Sequence, residues 1–115
     1  MNMFKDKIAI VTGAASGIGR ALARELAARG AEVQLADVQM DAALGVTAEI
    51  VASGGRAAAH YLDVTDSGAV ERLVNRVVAE KGRLDYMFNN AGIVITGEFR
   101  DFTTADWKRI LETRR

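Results

Sequence analysis

Hydrophobic positions along the chain form four short runs, separated by longer segments in which they recur at helical spacing. The first run, residues 8–11, is rich in β-branched side chains and stops at Thr12 and Gly13, as a strand buried on both faces does. The same reasoning predicts three more strands, at residues 32–36, 56–62 and 84–88.

The segments between these runs are predicted to be helices. The clearest pattern covers residues 67–82, where apolar side chains recur at i, i+3, i+4, i+7 and i+8 and charged side chains occupy the other face. Gly82 predicts the end of that helix. The other predicted helices run from Ile18 to a C-cap at Gly30, over residues 40–52, and from Thr103 or Thr104 toward the C-terminus.

Strand and helix alternate at intervals of about 25 to 30 residues, which favours parallel strands joined by right-handed crossovers. The predicted fold class is therefore α/β, a doubly wound parallel sheet of about four strands with helices on both faces. No shorter internal repeat or low-complexity segment interrupts this alternation, so residues 1–115 are expected to form one domain.

Composition narrows the possible functions. Half of the residues are hydrophobic, and fifteen basic residues balance fifteen acidic ones, so no net field favours a nucleic acid or an anionic membrane as partner. The absence of cysteine excludes disulfides and cysteine-ligated metals. No apolar run approaches the roughly 18 residues of a membrane helix, and we expect a cytoplasmic protein.

A glycine-rich segment lies between the first predicted strand and the first predicted helix, with the spacing G-x-x-x-G-x-G. Glycines there allow a tight turn, a close approach of backbone to a pyrophosphate, and close packing of helix on sheet. The helix N-terminus then offers N–H groups to phosphate. Small residues also mark ordinary turns, so the motif alone leaves both interpretations open. The candidate residues are Thr12, Gly13, Ser16, Gly17, Ile18 and Gly19.

Asp37 is the second candidate, 18 residues after Gly19 and at the end of the second predicted strand. A carboxylate there can accept hydrogen bonds from both hydroxyls of an adenosine ribose and would repel a 2′-phosphate, which predicts NAD rather than NADP. No Arg or Lys lies between Gly13 and Ile18 to offset that charge. The alternative is that Asp37 only caps the following turn.

Four motifs, in this order, resemble the amino-terminal half of a short-chain dehydrogenase/reductase. The resemblance covers the chain from about Lys5 to Glu112. It implies a Rossmann-like sheet in strand order 3-2-1-4, and a parent reaction in which NAD oxidises an alcohol or NADH reduces a ketone. The motifs are the glycine segment, Asp37, Leu62-Asp63-Val64, and Asn89-Asn90-Ala91-Gly92.

The resemblance also implies roles for residues after the third and fourth strands. Asp63 would contact the adenine amino group, Val64 would line the adenine pocket, and Asn90 would lie beside the cofactor ribose. The segment that includes Ala91 and Gly92 would steady the central strand against the turn at Thr12.

The residues themselves leave plainer interpretations open at both places. The segment from Asp63 also fits a capped turn before a helix, with Asp66 or Ser67 as the cap. Asn89 and Asn90 fit a turn after a strand. At the first place both interpretations can hold together, whereas at the second the two amides lie beside the carboxyl end of a strand, where such folds bind ligands.

The catalytic residues implied by the resemblance are a tyrosine with a lysine four residues later, a serine and an asparagine. Thr65 follows Tyr61 at that spacing and Asn90 follows Tyr86, so both tyrosines, which lie in predicted strands, are expected to pack against the sheet. Seven residues beyond Trp107, where the resemblance places the asparagine, the chain has Arg114. We therefore expect no catalytic residue here, and a truncated cofactor-binding half that does not catalyse the reaction alone.

His60 is the only histidine, which makes a histidine-based metal site or catalytic triad improbable. A partly buried strand histidine is the simpler interpretation.

A rival hypothesis is a non-catalytic, self-associating interaction module. With four strands, the fourth would present an open edge, and the last helix would lack neighbours that cover it. Either surface predicts a homo-oligomer.

Overall fold

The computed structural model describes residues 3–89 and 93–96. Four predicted strands and three predicted helices are confirmed within two residues at each end, and the helix predicted from Thr103 or Thr104 lies outside the described residues. The elements are β1 (Ile8–Thr12), α1 (Gly17–Ala28), β2 (Glu32–Asp37), α2 (Met40–Ala52), β3 (Arg56–Tyr61), α3 (Ser67–Lys81), β4 (Tyr86–Asn89) and β5 (Ile93–Thr96).

The strands form one sheet in the order β3-β2-β1-β4-β5. The first four are parallel: Ile10 pairs with Gln34 of β2 on one side and with Met87 of β4 on the other, and Gln34 pairs with Ala58 of β3. This confirms the doubly wound order 3-2-1-4. All four parallel strands therefore end at the same edge of the sheet.

The expectation that β4 forms an open edge is wrong. β5 runs antiparallel along β4, with Met87 opposite Ile95 and Phe88 opposite Val94. An unpaired strand edge exposes N–H and C=O groups, and β5, which is separated from β4 by only three residues, pairs with them. Self-association through a bare β4 edge therefore loses its structural basis.

Alternate residues of the central strands pack on opposite faces of the sheet. Ile8 and Ile10 belong to the core under α3, whereas Ala9 and Val11 belong to the core under α1 and α2. All four have 8% or less of their surface exposed, so β1 is buried on both faces, as its unbroken apolar run predicts.

Polar side chains link β2 and β3 to α3. Gln34 is 2% exposed, and its carbonyl oxygen accepts a hydrogen bond from His60 Nε2 at 2.7 Å. Arg76 donates from α3 to His60 Nδ1 at 3.2 Å, and because arginine is only a donor, the imidazole proton lies on Nε2. Burial, and then the nearby Arg76, lower the pKa of His60, against an opposing effect of Glu80.

The prediction of a partly buried strand histidine is confirmed by this network. Among the described residues, no group of three or more His, Cys, Asp or Glu is arranged to hold a metal ion.

The two tyrosines differ in their surroundings. Tyr86 contacts Phe4 and Phe88 in tilted ring pairs, with centroids 5.3 and 6.1 Å away, and its hydroxyl donates to the carbonyl of Met3. Tyr61 ends β3 with 64% of its surface exposed, so the expectation of packing holds for Tyr86 and is wrong for Tyr61. None of the helices in the described part of the chain is long and apolar enough to cross a membrane.

Candidate functional site

The predicted site residues come together at the edge where the parallel strands end. Thr12 ends β1, Asp37 ends β2, and Asp63 follows β3 by two residues. The crevice beyond such strand ends is where open α/β sheets bind ligands. Three further candidates, Asn90, Ala91 and Gly92, lie outside the described residues.

Two constraints account for the three glycines of the loop between β1 and α1. Gly13 and Gly17 have φ angles of 64° and 59°, a left-handed conformation that other residues adopt only with strain. A Cβ on Gly19 would lie 2.0 Å from the carbonyl oxygen of Gly13, so only glycine lets the helix approach the loop. A Cβ on Gly17 would meet nothing within 4 Å, which leaves open space in front of the loop.

Backbone hydrogen bonds hold this loop against the end of β2. The N–H of Gly13 donates to the carbonyl of Ala36 at 2.8 Å, and the N–H of Ala14 lies 3.5 Å from the same oxygen. The N–H of Ala15 donates to Asp37 Oδ2 at 3.0 Å. Sequence reasoning missed Ala14 and Ala15, both buried, because they are variable positions of the motif. Their small size was the one available signal.

The structure shows one of the two roles that the sequence left open for Asp37. Its second oxygen, Oδ1, accepts a hydrogen bond from the N–H of Gln39 at 2.9 Å, so it does cap the following turn. A carboxylate can accept about four hydrogen bonds. With one bond from Gln39 and one from Ala15, Asp37 retains the capacity to accept from two hydroxyl groups.

The N-terminus of α1 faces the same edge and is not capped by a side chain of its own. Ser16 occupies the cap position in an extended conformation and makes no side-chain capping hydrogen bond, and the first turn holds no acidic residue. The first N–H groups of a helix lack partners within the helix and carry its positive dipole end. Ile18, in this turn, is 79% exposed. The loop is therefore suited to an anionic group.

The segment after β3 forms the capped turn that its residues predict. Asp63 Oδ1 accepts hydrogen bonds from the Thr65 hydroxyl at 2.7 Å and the Thr65 N–H at 3.0 Å, and these bonds lower the pKa of Asp63. Asp66 caps α3 by accepting from the N–H of Ala69, which confirms it as the cap. Val64 packs against the core under α3.

Thr12 and Asn89 end the two central strands. Both are buried, at 1% and 5% exposure, and Thr12 Oγ1 lies 3.5 Å from the carbonyl oxygen of Phe88 in β4. The ends of β1 and β4 are therefore in contact at the edge that carries the site.

A groove of about 650 Å³ lies between α1 and α2, near Gly30 and the turn that contains Gly54 and Gly55. These residues precede β2 and β3, so the groove is at the opposite edge of the sheet. It contains none of the predicted site residues.

A comparison with protein families identifies the chain. The family model described as short chain dehydrogenase matches residues 7–114, nearly the whole sequence. The chain belongs to the short-chain dehydrogenase family. The resemblance carried by the glycine loop, Asp37 and Asp63 is thus confirmed.

Several dehydrogenases of named activity are similar to this chain. The meso-2,3-butanediol dehydrogenase of Serratia marcescens is 41% identical over 93% of the chain and 42% of its own length. The cyclohexanol dehydrogenase of an Acinetobacter species is 38% identical over 96% of the chain and 45% of its own length. The chain spans less than half of the length of these relatives.

Solved structures of short-chain dehydrogenases share the fold. One from Mycobacterium smegmatis superposes with a TM-score of 0.75 at 32% identity, over 99% of this chain and 50% of that one. A metagenomic short-chain oxidoreductase in complex with NADP superposes with a TM-score of 0.73 at 41% identity, over 78% of this chain and 41% of that one. One from Burkholderia phymatum in complex with NAD superposes with a TM-score of 0.71 at 31% identity, over 76% of this chain and 31% of that one.

Proposed function

We propose that this chain is the NAD(H)-binding domain of a short-chain oxidoreductase whose parent reaction interconverts alcohols and ketones. One observation carries the proposal. A loop built on three constrained glycines leads into an uncapped helix N-terminus at the carboxyl edge of a parallel sheet. Solved relatives in complex with NADP and with NAD support a dinucleotide as the ligand.

The pyrophosphate would be held by the glycine loop and the first turn of α1. Free N–H groups and the positive dipole end favour a phosphate there. The Ser16 side chain, which makes no capping bond, is available to donate to a phosphate oxygen. Ile18, exposed in the same turn, would lie against the cofactor, and Gly17 would leave room for it.

Asp37 would select NAD over NADP. The two hydrogen bonds it can still accept suit the two hydroxyls of the adenosine ribose, whereas a 2′-phosphate would meet a negative charge. Arg20, the first cation of α1, lies 2.8 and 3.0 Å from the two carboxylate oxygens of Glu49. It is therefore engaged elsewhere and is poorly placed to offset that repulsion.

The remaining cofactor contacts are carried over from the family. Asp63 would accept a hydrogen bond from the adenine amino group through its carboxylate. Val64 would line the adenine pocket. Asn90, with Ala91 and Gly92, would lie beside the cofactor at the end of β4.

Bound NAD supplies a hydride acceptor, and the substrate class would be secondary alcohols and the matching ketones. Relatives named as butanediol and cyclohexanol dehydrogenases support that class. Neither tyrosine of the sequence has a lysine four residues later. We therefore propose that the 115-residue chain binds the cofactor as a single domain and does not catalyse the reaction alone.

The binding test is a titration of the chain with NADH and, separately, with NADPH, followed by nucleotide fluorescence. We expect saturable binding of NADH, and binding of NADPH weaker by more than about tenfold, equal to about 1.4 kcal/mol. Equal affinity for the two cofactors would overturn the NAD preference. Failure to bind either would overturn the proposed function.

The catalytic test is NADH formation with NAD and a panel of secondary alcohols that includes 2,3-butanediol and cyclohexanol. We expect no turnover above a protein-free control. Sustained turnover by the purified chain, abolished by Asp37→Ala, would contradict the proposal that it is not catalytic alone.

Self-association stays a prediction, although its basis at the β4 edge is gone. Its test is the molar mass in solution at micromolar concentration by sedimentation equilibrium. A monomer mass would remove the interaction-module alternative. A stable dimer without NADH binding would favour it.

A further inference from the structure

We propose that Asp37 organises the glycine loop before any cofactor is bound, and is thus a positioning residue as well as a contact to the ribose. Only the identity of the ligand rests on the proposed function. The loop contact itself is a property of the cofactor-free protein.

The geometry joins the two parts of the site through one carboxylate. Asp37 Oδ2 accepts from the N–H of Ala15 at 3.0 Å, and Oδ1 accepts from the N–H of Gln39 at 2.9 Å. The carboxylate is therefore fixed from the β2 side while it holds the loop. The contact spans 22 residues, so it is a tertiary contact and not local turn geometry.

The contact matters because Ala15 is only 7% exposed. A buried N–H group without an acceptor is costly, and hydrogen bonds to a charged acceptor are about twice as strong as neutral ones. The neighbouring N–H of Ala14 lies at a longer distance, 3.5 Å from the Ala36 carbonyl. Of the two hydrogen bonds that hold Ala14 and Ala15 against β2, the bond to Asp37 is therefore the shorter.

If Asp37 orders the loop, its removal changes the affinity for an anion in the opposite direction to the loss of its charge alone. Asp37 carries a negative charge beside a phosphate site, so its removal should strengthen the binding of an anion if the loop stays in place. If Asp37 orders the loop, removal should weaken that binding even for an anion without a ribose. Inorganic pyrophosphate is such a probe.

The first measurement is amide hydrogen exchange in the cofactor-free protein, on wild type, Asp37→Ala and Asp37→Asn. We expect exchange at Ala15 to accelerate by about 10- to 100-fold in Asp37→Ala. Asp37→Asn keeps one acceptor oxygen and should fall between the two. The amide of Val33, buried in the centre of β2, should not change, which would show that the variants are folded.

The matched control is Asp41→Ala, which removes the same charge from an exposed position in the first turn of α2. It should leave exchange at Ala15 unchanged.

The second measurement is calorimetric titration with pyrophosphate. Asp37→Ala should bind it several-fold more weakly than wild type, and Asp37→Asn should be intermediate. Asp41→Ala should bind it equally well or more tightly.

Unchanged exchange at Ala15 in Asp37→Ala, with pyrophosphate binding equal or tighter, would overturn the positioning role. That result leaves the proposed function intact, because NADH can still bind to wild type. If instead wild type binds no NADH, the proposed function fails. The exchange at Ala15 still decides the positioning role in that case.

Discussion

Two strand-to-helix connections reach the same edge of the sheet, and they are built in opposite ways. The loop between β1 and α1 has two glycines in left-handed conformations, and its cap residue, Ser16, makes no side-chain capping bond. The turn between β3 and α3 is closed by its own carboxylates. Asp63 binds Thr65, and Asp66 caps the helix at Ala69.

The difference explains why one helix N-terminus is suited to a ligand and the other is not. At α3 a carboxylate already satisfies an N–H group and offsets the positive dipole end. At α1 no side chain caps the helix and no acidic residue lies in the first turn. The nearby carboxylate of Asp37 accepts from the N–H of Ala15 in the loop, and not from the helix. An anion is therefore favoured at α1 and opposed by two negative charges at α3.

The largest expected effect is that of Gly19→Ala, which places a methyl group against the carbonyl of Gly13. Because backbone and not a flexible side chain is in the way, the loop must shift. We expect a loss of about 1 to 3 kcal/mol in the free energy of unfolding, and NADH affinity lower by more than about tenfold. Denaturant titration and NADH titration measure the two effects.

The matched control is Gly45→Ala in α2, where an added Cβ meets nothing within 4 Å. Alanine is the better helix former, so stability should rise by about 0.5 to 1 kcal/mol, with NADH binding unchanged. Similar behaviour of the two variants would mean that the close approach at Gly19 is not a constraint.

The next effect is at the closed connection. Asp66→Ala removes the cap of α3 and should lower the free energy of unfolding by about 0.5 to 2 kcal/mol. NADH affinity should stay the same, because Asp66 serves its own helix. Chemical denaturation followed by circular dichroism measures the first expectation. A large loss of NADH affinity would show that the capped N-terminus of α3 itself takes part in binding.

Ser16→Ala is the counterpart at the open connection and should show the reverse pattern. Since Ser16 makes no capping bond, stability should change by less than about 0.5 kcal/mol. NADH affinity should fall about five- to tenfold through loss of a hydrogen bond to phosphate. A loss of stability as large as that of Asp66→Ala would remove the contrast between the two helix ends.

The smallest effect concerns His60, between β3 and α3, and depends on pH. The folded state lowers the pKa of His60 from 6.5, so as the pH falls through 6.5 the unfolded chain binds more protons at this residue than the folded one. Stability from neutral His60 is therefore present above 6.5 and is lost as the pH falls toward the lowered folded-state value. Denaturant titrations of wild type and His60→Gln across this range should converge on acidification. A constant difference between them would contradict the assignment.

The strand order and the glycine loop could be predicted because short-range patterns determine them. The apolar run that ends at Thr12 indicates a doubly covered strand, and the shift to helical spacing at Ile18 indicates the crossover. The glycine spacing then places a ligand between them. Each of these signals lies within a few residues of the structure it predicts.

Other features depend on contacts between distant residues and left little local signal. Gln34 occupies a buried position of β2 that an apolar residue would ordinarily fill. Its side-chain nitrogen donates to Glu32 nearby, but the partner of its carbonyl oxygen, His60, is 26 residues away. The bond between Ala15 and Asp37 is of the same kind. β5 was missed because a four-residue strand acquires its pairing only when β4 presents an edge beside it.

The most direct test of the open site is a two-dimensional amide NMR spectrum of the chain titrated with NADH. We expect the largest shift changes from Gly13 to Gly19, with smaller ones at Asp37 and Val64. The amides of Ala69, behind the capped N-terminus of α3, and of Gly54, at the opposite edge, should hardly move. Shifts centred on Gly54, or no shifts at saturating NADH, would contradict the assignment of this edge as the cofactor site.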